Sequence, residues 1–377
     1  MRSFRSLAAL AALAALAGLG CGGRTSLDLA SPASGFDAGT VVDAGLDGAS
    51  PPPPPGDASS DASADARFDA SGPSDSGVVD DAPNDVVPAC PPPSGPSDCP
   101  DPGDGTTVLA CNRLVPSGIA VDGCNVYWAD HAAGAVLSVP IGGGAVRTLA
   151  SGLALPTVGA TDGAWVYWTD GTLGTVNRVP VTGGAVVTLA TGHVGAQYLA
   201  IDATNVYWGD NYANGGLYAA PLAGSSSARY LAAYGYFVMQ VAVDGPNVLF
   251  QSEGVLASVP IDGGKPVRVS TPSSDALAVY GGEAYWVEPA GVVSDVWPGG
   301  TPTVLGAVGT TDDIAVDAMG VYGTGNGVVY RLAPDGTVHT LATHQDLPGP
   351  IVVDATSVYW TDFGPSGSQG TIMKAPK

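Results

Sequence analysis

The chain has 377 residues, rich in glycine (54) and proline (32), with charged residues at only 13% and a formal net charge of −22. That length holds one large domain with appendages. The acid is spread through the chain and no basic patch interrupts it, so a phosphate backbone would be repelled and nucleic-acid binding is excluded.

In chain order, residues 1–20 read as an export signal. Arg2 and Arg5 precede an apolar run from Leu7 to Leu19 that is too short to span a bilayer comfortably. Two cleavage sites compete. Ala15-Leu16-Ala17 fits an ordinary signal peptidase and would leave the protein periplasmic or secreted. Gly18-Leu19-Gly20-Cys21 resembles the bacterial lipobox, which implies a diacylglycerol-modified Cys21 as the mature N-terminus. Gly18 departs from the leucine usual there. The lipoprotein reading is favoured because the residues that follow behave like a tether. The same resemblance implies an outer-membrane or cell-surface destination, since Gly22 is not the aspartate that signals inner-membrane retention. Gly18, Gly20 and Gly23 also match G-x-G-x-x-G, but no strand precedes them and no βαβ unit follows, so the match is accidental.

Residues 21–105 contain 15 Asp and two Arg among Ala, Pro, Ser and Gly. Asp57, Asp61, Asp65 and Asp69 would repel one another along a helix face, and Pro51 to Pro55 form a polyproline run. Such a segment buries too little surface to offset its chain entropy, so a disordered tether is expected. The spaced aspartates lack a calcium-loop pattern. With Cys21 lipidated, four cysteines remain: Cys90, Cys99, Cys111 and Cys124. In an exported chain they read as two disulfides. Cys111 ends a strand at one face of the fold described next and Cys124 lies in a turn at the other, so Cys124 is expected to pair with Cys90 or Cys99.

From residue 106 one phrase repeats. Its aromatic strands are VYWAD (126–130), VYWTD (166–170), VYWGD (206–210), VLFQS (248–252), AYWVE (284–288), VYGTG (321–325) and VYWTD (358–362). Each follows a strand such as GIAVD (118–122) and precedes one such as AVLSVP (135–140), often with a Gly-rich turn after it, as at Gly142 to Gly144 and Gly263-Gly264. Seven units of about four strands predict an all-β, seven-bladed β-propeller over 106–377, with six blades as the alternative. Only six outer fourth strands follow their units. The missing seventh resembles TTVLA at 106–110, so the N-terminal strand is expected to close the ring. The aromatic phrase resembles the YWTD repeat of low-density-lipoprotein-receptor-type propellers and of bacterial lipoprotein domains of unknown function. That family typically has six blades, and its repeat residues are structural.

No G-x-S-x-G, H-E-x-x-H or Walker loop occurs. Propellers of the gluconolactonase type hold a channel metal with carboxylates and an amide. The innermost strands here present Ile119, Ala120, Val121, Leu199, Ala200, Val241, Ala242, Ile314 and Ala315 instead, so neither metal nor cofactor is expected. The aspartates ending those strands, such as Asp122 and Asp162, read as turn residues. His131, His193 and His344 fall in loops of one face and read as solvated. The best-supported function is a non-catalytic binding or scaffold module at the cell surface, with an unknown protein, peptide or glycan as partner. The alternative is an exported hydrolase or lyase resembling the lactonases or the streptogramin-opening lyase. The expected ligand site lies on the loops around one mouth of the channel: His193, Gln197, Tyr234, Tyr236, Gln240, Asp275, Asp312, Asp313 and His344.

Overall fold

A computed structural model describes Cys90, Cys99 and residues 102–377 other than 212–214, 225–226, 233–236, 273–275, 297–299 and 365–368. The chain divides into two units, Met1–Asp81 and Ala82–Lys377, and every described residue belongs to the second. The signal, Cys21 and most of the tether therefore lie outside the described residues, as do Tyr234, Tyr236 and Asp275.

All regular structure among the described residues is β, arranged as seven four-stranded antiparallel sheets. The seven-bladed propeller is the observed fold, and the six-bladed alternative falls. Blade 1 comprises Pro116–Val121, Asn125–Asp130, Ala135–Pro140 and Arg147–Ser151. Blade 2 comprises Pro156–Thr161, Trp165–Asp170, Thr175–Pro180 and Val187–Thr191. Blade 3 comprises Ala196–Ile201, Asn205–Asp210, Leu217–Pro221 and Arg229–Ala232. Blade 4 comprises Val238–Asp244, Asn247–Ser252, Val255–Pro260 and Val267–Ser270. Blade 5 comprises Leu277–Tyr280, Glu283–Glu288, Gly291–Val296 and Thr303–Gly306. Blade 6 comprises Asp313–Asp317, Gly320–Gly325, Val328–Leu332 and Val338–Ala342. Blade 7 comprises Pro348–Val353, Ser357–Asp362 and Gly370–Pro376, and takes its fourth strand, Thr107–Arg113, from the start of the domain.

First strands of successive blades touch one another around the ring and line the channel. Consecutive strands are antiparallel, so the loops separate onto two faces. One, the turn face, carries the first-to-second and third-to-fourth hairpins. The other, the mouth face, carries the second-to-third hairpins and the blade-to-blade loops. Inner strands pack closely: a Cβ on Gly118, whose φ is +59°, would sit 1.9 Å from the Val158 carbonyl oxygen of blade 2.

The aromatic phrase explains the blade stacking. Adjacent side chains of a strand point to opposite sheet faces. The Tyr of each phrase therefore packs against the next blade, and the Trp against the preceding one. Tyr127 meets Trp168, Tyr167 meets Trp208, Tyr207 meets Phe250, Leu249 meets Trp286, Tyr322 meets Trp360 and Tyr359 meets Trp128. Between blades 5 and 6 the Trp position is Gly323, and Tyr330 of the next strand fills the space. Full burial of one such side chain contributes roughly 1.5–3 kcal/mol, repeated at every interface.

The closing strand pairs with the last strand as Thr107↔Lys374, Val108↔Met373, Ala110↔Ile372 and Arg113↔Gly370. Lys374 Nζ then donates to the Ile141 carbonyl of blade 1 at 2.9 Å, and Lys377 pairs with Asp317 of blade 6. Disulfides join Cys90 to Cys124 and Cys99 to Cys111. The expected pairing of Cys124 with one of the two upstream cysteines holds, for the expected reason: Cys111 and Cys124 stand at opposite faces.

Candidate functional site

On the turn face, the aspartate that follows the first strand has a structural task in blades 1, 2, 3 and 7. Asp122 Oδ1 accepts the Cys124 and Asn125 amides, each at 2.7 Å, and Oδ2 accepts the Tyr127 hydroxyl at 2.6 Å. Asp162, Asp202 and Asp354 repeat the arrangement with Tyr167, Tyr207 and Tyr359. Burial works to raise the Asp202 pKa, but the Tyr207 hydroxyl and the Thr204 and Asn205 amides outweigh it and hold the carboxyl below its ordinary value. Reading these residues as turn aspartates is borne out. The repeat tyrosine owes its polar tip to them.

On the mouth face, the aspartate ending the second strand of blades 1, 2 and 7 ties down a loop. Asp130 accepts the Leu114 amide, Asp170 the Ala154 amide and Asp362 the Asp346 amide, at 2.8–3.0 Å. Each donor lies 16 residues upstream, in the loop from the preceding blade. Blade 3 departs from this. Asp210 Oδ2 instead accepts from Nδ1 of His193 at 2.8 Å, and Oδ1 accepts the Trp208 indole N–H at 3.1 Å. The indole nitrogens of Trp128 and Trp168, whose aspartates are engaged by backbone, are buried without a partner. The His193 ring meets Trp208 and Tyr218 edge-on, with centroids 4.9 and 4.7 Å away.

The channel is apolar toward the turn face, where Ile119, Val121, Ala160, Ala315 and Val352 are among the residues lining a cavity of about 280 Å³. Its mouth is polar. Ser117 Oγ donates to Thr157 Oγ1 across the blade 1–2 boundary at 3.3 Å, and His131 Nε2 lies 3.4 Å from the same hydroxyl. Gln197 Oε1 accepts from Asn211 at 3.2 Å, and Gln240 Oε1 accepts the Val241 amide. Asp313 accepts the Ile351 amide of blade 7 at 3.1 Å. Water still reaches part of Asp313, but protein crowds its carboxyl; that burial, with the Asp312 charge, pushes its pKa up to about 7 against the opposing Ile351 and Ile314 amides.

The structure sorts the expected site residues into three places. Gln197, Gln240, Asp312 and Asp313 stand at the inner ends of first strands, on the mouth. His193 stands apart, over the second and third strands of blade 3. His344 is exposed on the blade 6–7 loop beside Thr343. Of the three loop histidines, only His344 fits the solvated reading. His131 is part-buried, and burial lowers its pKa against the raising effects of the Pro156 carbonyl, Asp130 and Asp170. Sequence reading did not single out Ser117, Thr157, Asp210, Tyr218 or Tyr230. Aligning the units by register would have flagged two of them: the third-strand partner of the repeat Trp is Leu137 in blade 1, Asn177 in blade 2 and Met373 in blade 7, but Tyr218 in blade 3, next to Tyr230.

Backbone strain is also one-sided. Among the described residues, seven non-glycine residues have positive φ: Asn112, Val115, Tyr198, Glu253, Asn326, His344 and Leu347. All seven lie on the mouth-face half, whereas every positive-φ residue of the turn-face hairpins is glycine. Asn and His tolerate this conformation better, but for Val115, Tyr198, Glu253 and Leu347 it costs on the order of 1–3 kcal/mol each.

No protein-family model matches the chain. No curated protein matches it either. Solved structures do. A streptogramin B lyase is 14% identical with a TM-score of 0.60, covering 72% of this chain and 97% of that one. Virginiamycin B lyase from Staphylococcus aureus is 12% identical with a TM-score of 0.59, covering 71% and 97%. The WD40 β-propeller domain of Doa1 is 13% identical with a TM-score of 0.57, covering 71% and 97%. At these identities the likeness is one of fold.

Proposed function

We propose that the protein is a binding propeller that holds its ligand on the mouth face. The observation that carries this is the concentration of non-glycine backbone strain on that face, where strain without a ligand to serve would be selected against. The polar rim of Gln197, Gln240, Asp312 and Asp313 supports the reading, because these groups suit a polar partner such as a peptide or glycan. The test is capture from cell-surface fractions by the domain. A double variant, Gln240→Ala with Asp313→Asn, is compared with a turn-face variant, Asp262→Asn with Asp335→Asn. Loss of the captured partner in the first variant alone is expected. Loss in the second alone would place the site on the other face.

The surface location belongs to the same proposal. The lipobox-like Gly18-Leu19-Gly20-Cys21 and the YWTD-like repeat together suggest a bacterial surface lipoprotein of the YWTD type. Cys21→Ser should abolish lipid labelling and release the protein from membranes. A wild-type protein that is already soluble and begins at Gly18 would support the ordinary signal instead.

One observation favours the enzymatic alternative. The mouth carries an acid with a raised pKa, Asp313, and a histidine with a lowered one, His131, and opposed shifts of this kind suit acid–base work. Incubation with a streptogramin B and with a panel of simple lactones tests it. Ring opening that Asp313→Asn and His131→Gln each abolish would establish the lyase or hydrolase reading.

A further inference from the structure

A second cluster lies away from the mouth, on the shoulder of blade 3, and the repeats themselves show that it is unusual. In blades 1, 2 and 7 the aspartate ending the second strand is used up by backbone amides. In blade 5 Glu288 accepts side chains, the Trp286 indole and the Ser270 hydroxyl, and in blade 3 the clamp is likewise given over to side chains, but with a histidine as the partner. Asp210 holds Nδ1–H of His193 through one oxygen and the Trp208 N–H through the other. In the neutral imidazole, a carboxylate partner on Nδ1 places the proton there and leaves Nε2 as an acceptor. His193 is nearly enclosed, at 11% side-chain exposure, so this acceptor is held in one orientation. Beside it the aromatic surface continues outward. Tyr218 stacks with Trp208 and contacts Tyr230 edge-on at 5.5 Å, and Tyr230 is 54% exposed. Leu173 and Val194, also exposed, flank the hydrogen bond from the His193 amide to the Gly174 carbonyl.

The chemistry of this shoulder restricts what it can hold. His193 Nε2 accepts a hydrogen bond, the Tyr218 and Tyr230 hydroxyls can accept or donate one, and the exposed Tyr230 ring offers a flat apolar face. Arg229, the residue before Tyr230, lies on the opposite side of its strand and donates to the Ile261 carbonyl of blade 4 at 2.7 Å, so this cation is turned away from the shoulder. An uncharged occupant that carries hydroxyls and an apolar face matches these groups. We propose that the blade 3 shoulder is a binding subsite for a neutral carbohydrate, whose C–H face stacks on Tyr230 and whose hydroxyl donates to His193 Nε2. This subsite is separate from the mouth and does not rest on the mouth reading.

The test uses the intact chain and quenching of its tryptophan fluorescence, with Trp208 as the reporter within the cluster. The probes are cellohexaose, maltohexaose, mannohexaose and chitohexaose, with decalysine as the cationic competitor. At least one hexasaccharide should bind. Tyr230→Ala should weaken it about tenfold or more without changing the melting temperature, and Tyr230→Trp, which keeps a ring there, should retain it. His193→Gln should weaken it while Gln240→Ala at the mouth leaves it unchanged. Absence of binding by all four sugars overturns the proposal, as does binding indifferent to Tyr230→Ala. If Gln240→Ala abolishes sugar binding and Tyr230→Ala does not, the sugar belongs to the mouth, and this inference fails while the mouth reading gains. If decalysine binds through Tyr230 and no sugar does, the occupant is a cation and the carbohydrate assignment is wrong.

Discussion

A carboxylate at a strand end has two different tasks in this molecule, and its face determines which. On the turn face, Asp122 and its counterparts fold a hairpin and satisfy a tyrosine. On the mouth face, Asp130, Asp170 and Asp362 tie loops, and Asp210 orients a histidine. Asp313 belongs to neither set. Its carboxylate accepts the Ile351 amide of blade 7, and burial lifts its pKa from 3.8 to about 7. The sign of the consequence follows from proton linkage. Between these two values the folded state holds a proton that the unfolded state has released. Stability is therefore greatest below about pH 4 as far as this group is concerned, and declines as the pH rises to about 7. Asp313→Asn, which cannot ionise, should flatten that segment of the stability profile. Denaturant unfolding at a series of pH values between 4 and 8 measures it, and an unchanged slope would show that the Asp313 carboxyl is better solvated than its surroundings indicate.

The second strand of each blade carries the element-level logic, because its adjacent Tyr and Trp serve two different interfaces. Blade 6 shows that the requirement is filled volume and not a particular residue. A Cβ on Gly323 would lie 2.3 Å from the Tyr330 hydroxyl, so the Tyr330 ring occupies the space that a tryptophan takes elsewhere. Its hydroxyl is paired with Thr311 at 2.8 Å, and burial pushes its pKa up to about 12. Tyr330→Ala should therefore cost about 3–5 kcal/mol, as for other large buried aromatics. Gly323→Trp alone should also destabilise, by overpacking. The combination, Gly323→Trp with Tyr330→Ala, should be more stable than either single variant, because the new indole fills the cavity. Thermal unfolding of the three variants checks this, and strictly additive losses would mean that the two residues do not share one space.

For the whole molecule the decisive feature is closure. Thr107–Arg113 completes blade 7, and two disulfides fasten its approaches: Cys99–Cys111 holds the strand itself, and Cys90–Cys124 joins the segment before it to blade 1. The bridges close loops of 12 and 34 residues. Loop-closure entropy assigns about 3 kcal/mol to the shorter and about 4 to the longer. Cys99→Ser with Cys111→Ser should lower the melting temperature with the fold retained. Deleting 106–113 should do so more severely, since it also strips the outer ladder from blade 7 and exposes an edge. Differential scanning calorimetry of the two forms is the measurement. A deletion variant that melts with the wild type would mean that the ring does not depend on this strand.

The sequence by itself determined the number of blades, the strand order within each and the strand that closes the ring. These are local or repeated properties. A short strand apolar on both faces, an Asp turn and an aromatic pair specify a blade wherever they occur, and seven copies make the pattern visible even where Leu249 and Gly323 break it. It also fixed which cysteines could not pair, because topology alone puts Cys111 and Cys124 on opposite faces. Side-chain partnership across blades was a different matter. His131 and His193 look alike in the sequence, as polar residues in loops of one face. Only tertiary structure shows that one is wedged against Thr157 of the next blade and the other held by Asp210, 17 residues further along the chain. The repeat would assign that aspartate to backbone. Those contacts form between units that the repeat treats as equivalent, so they depend on how two particular blades meet, which no single unit encodes.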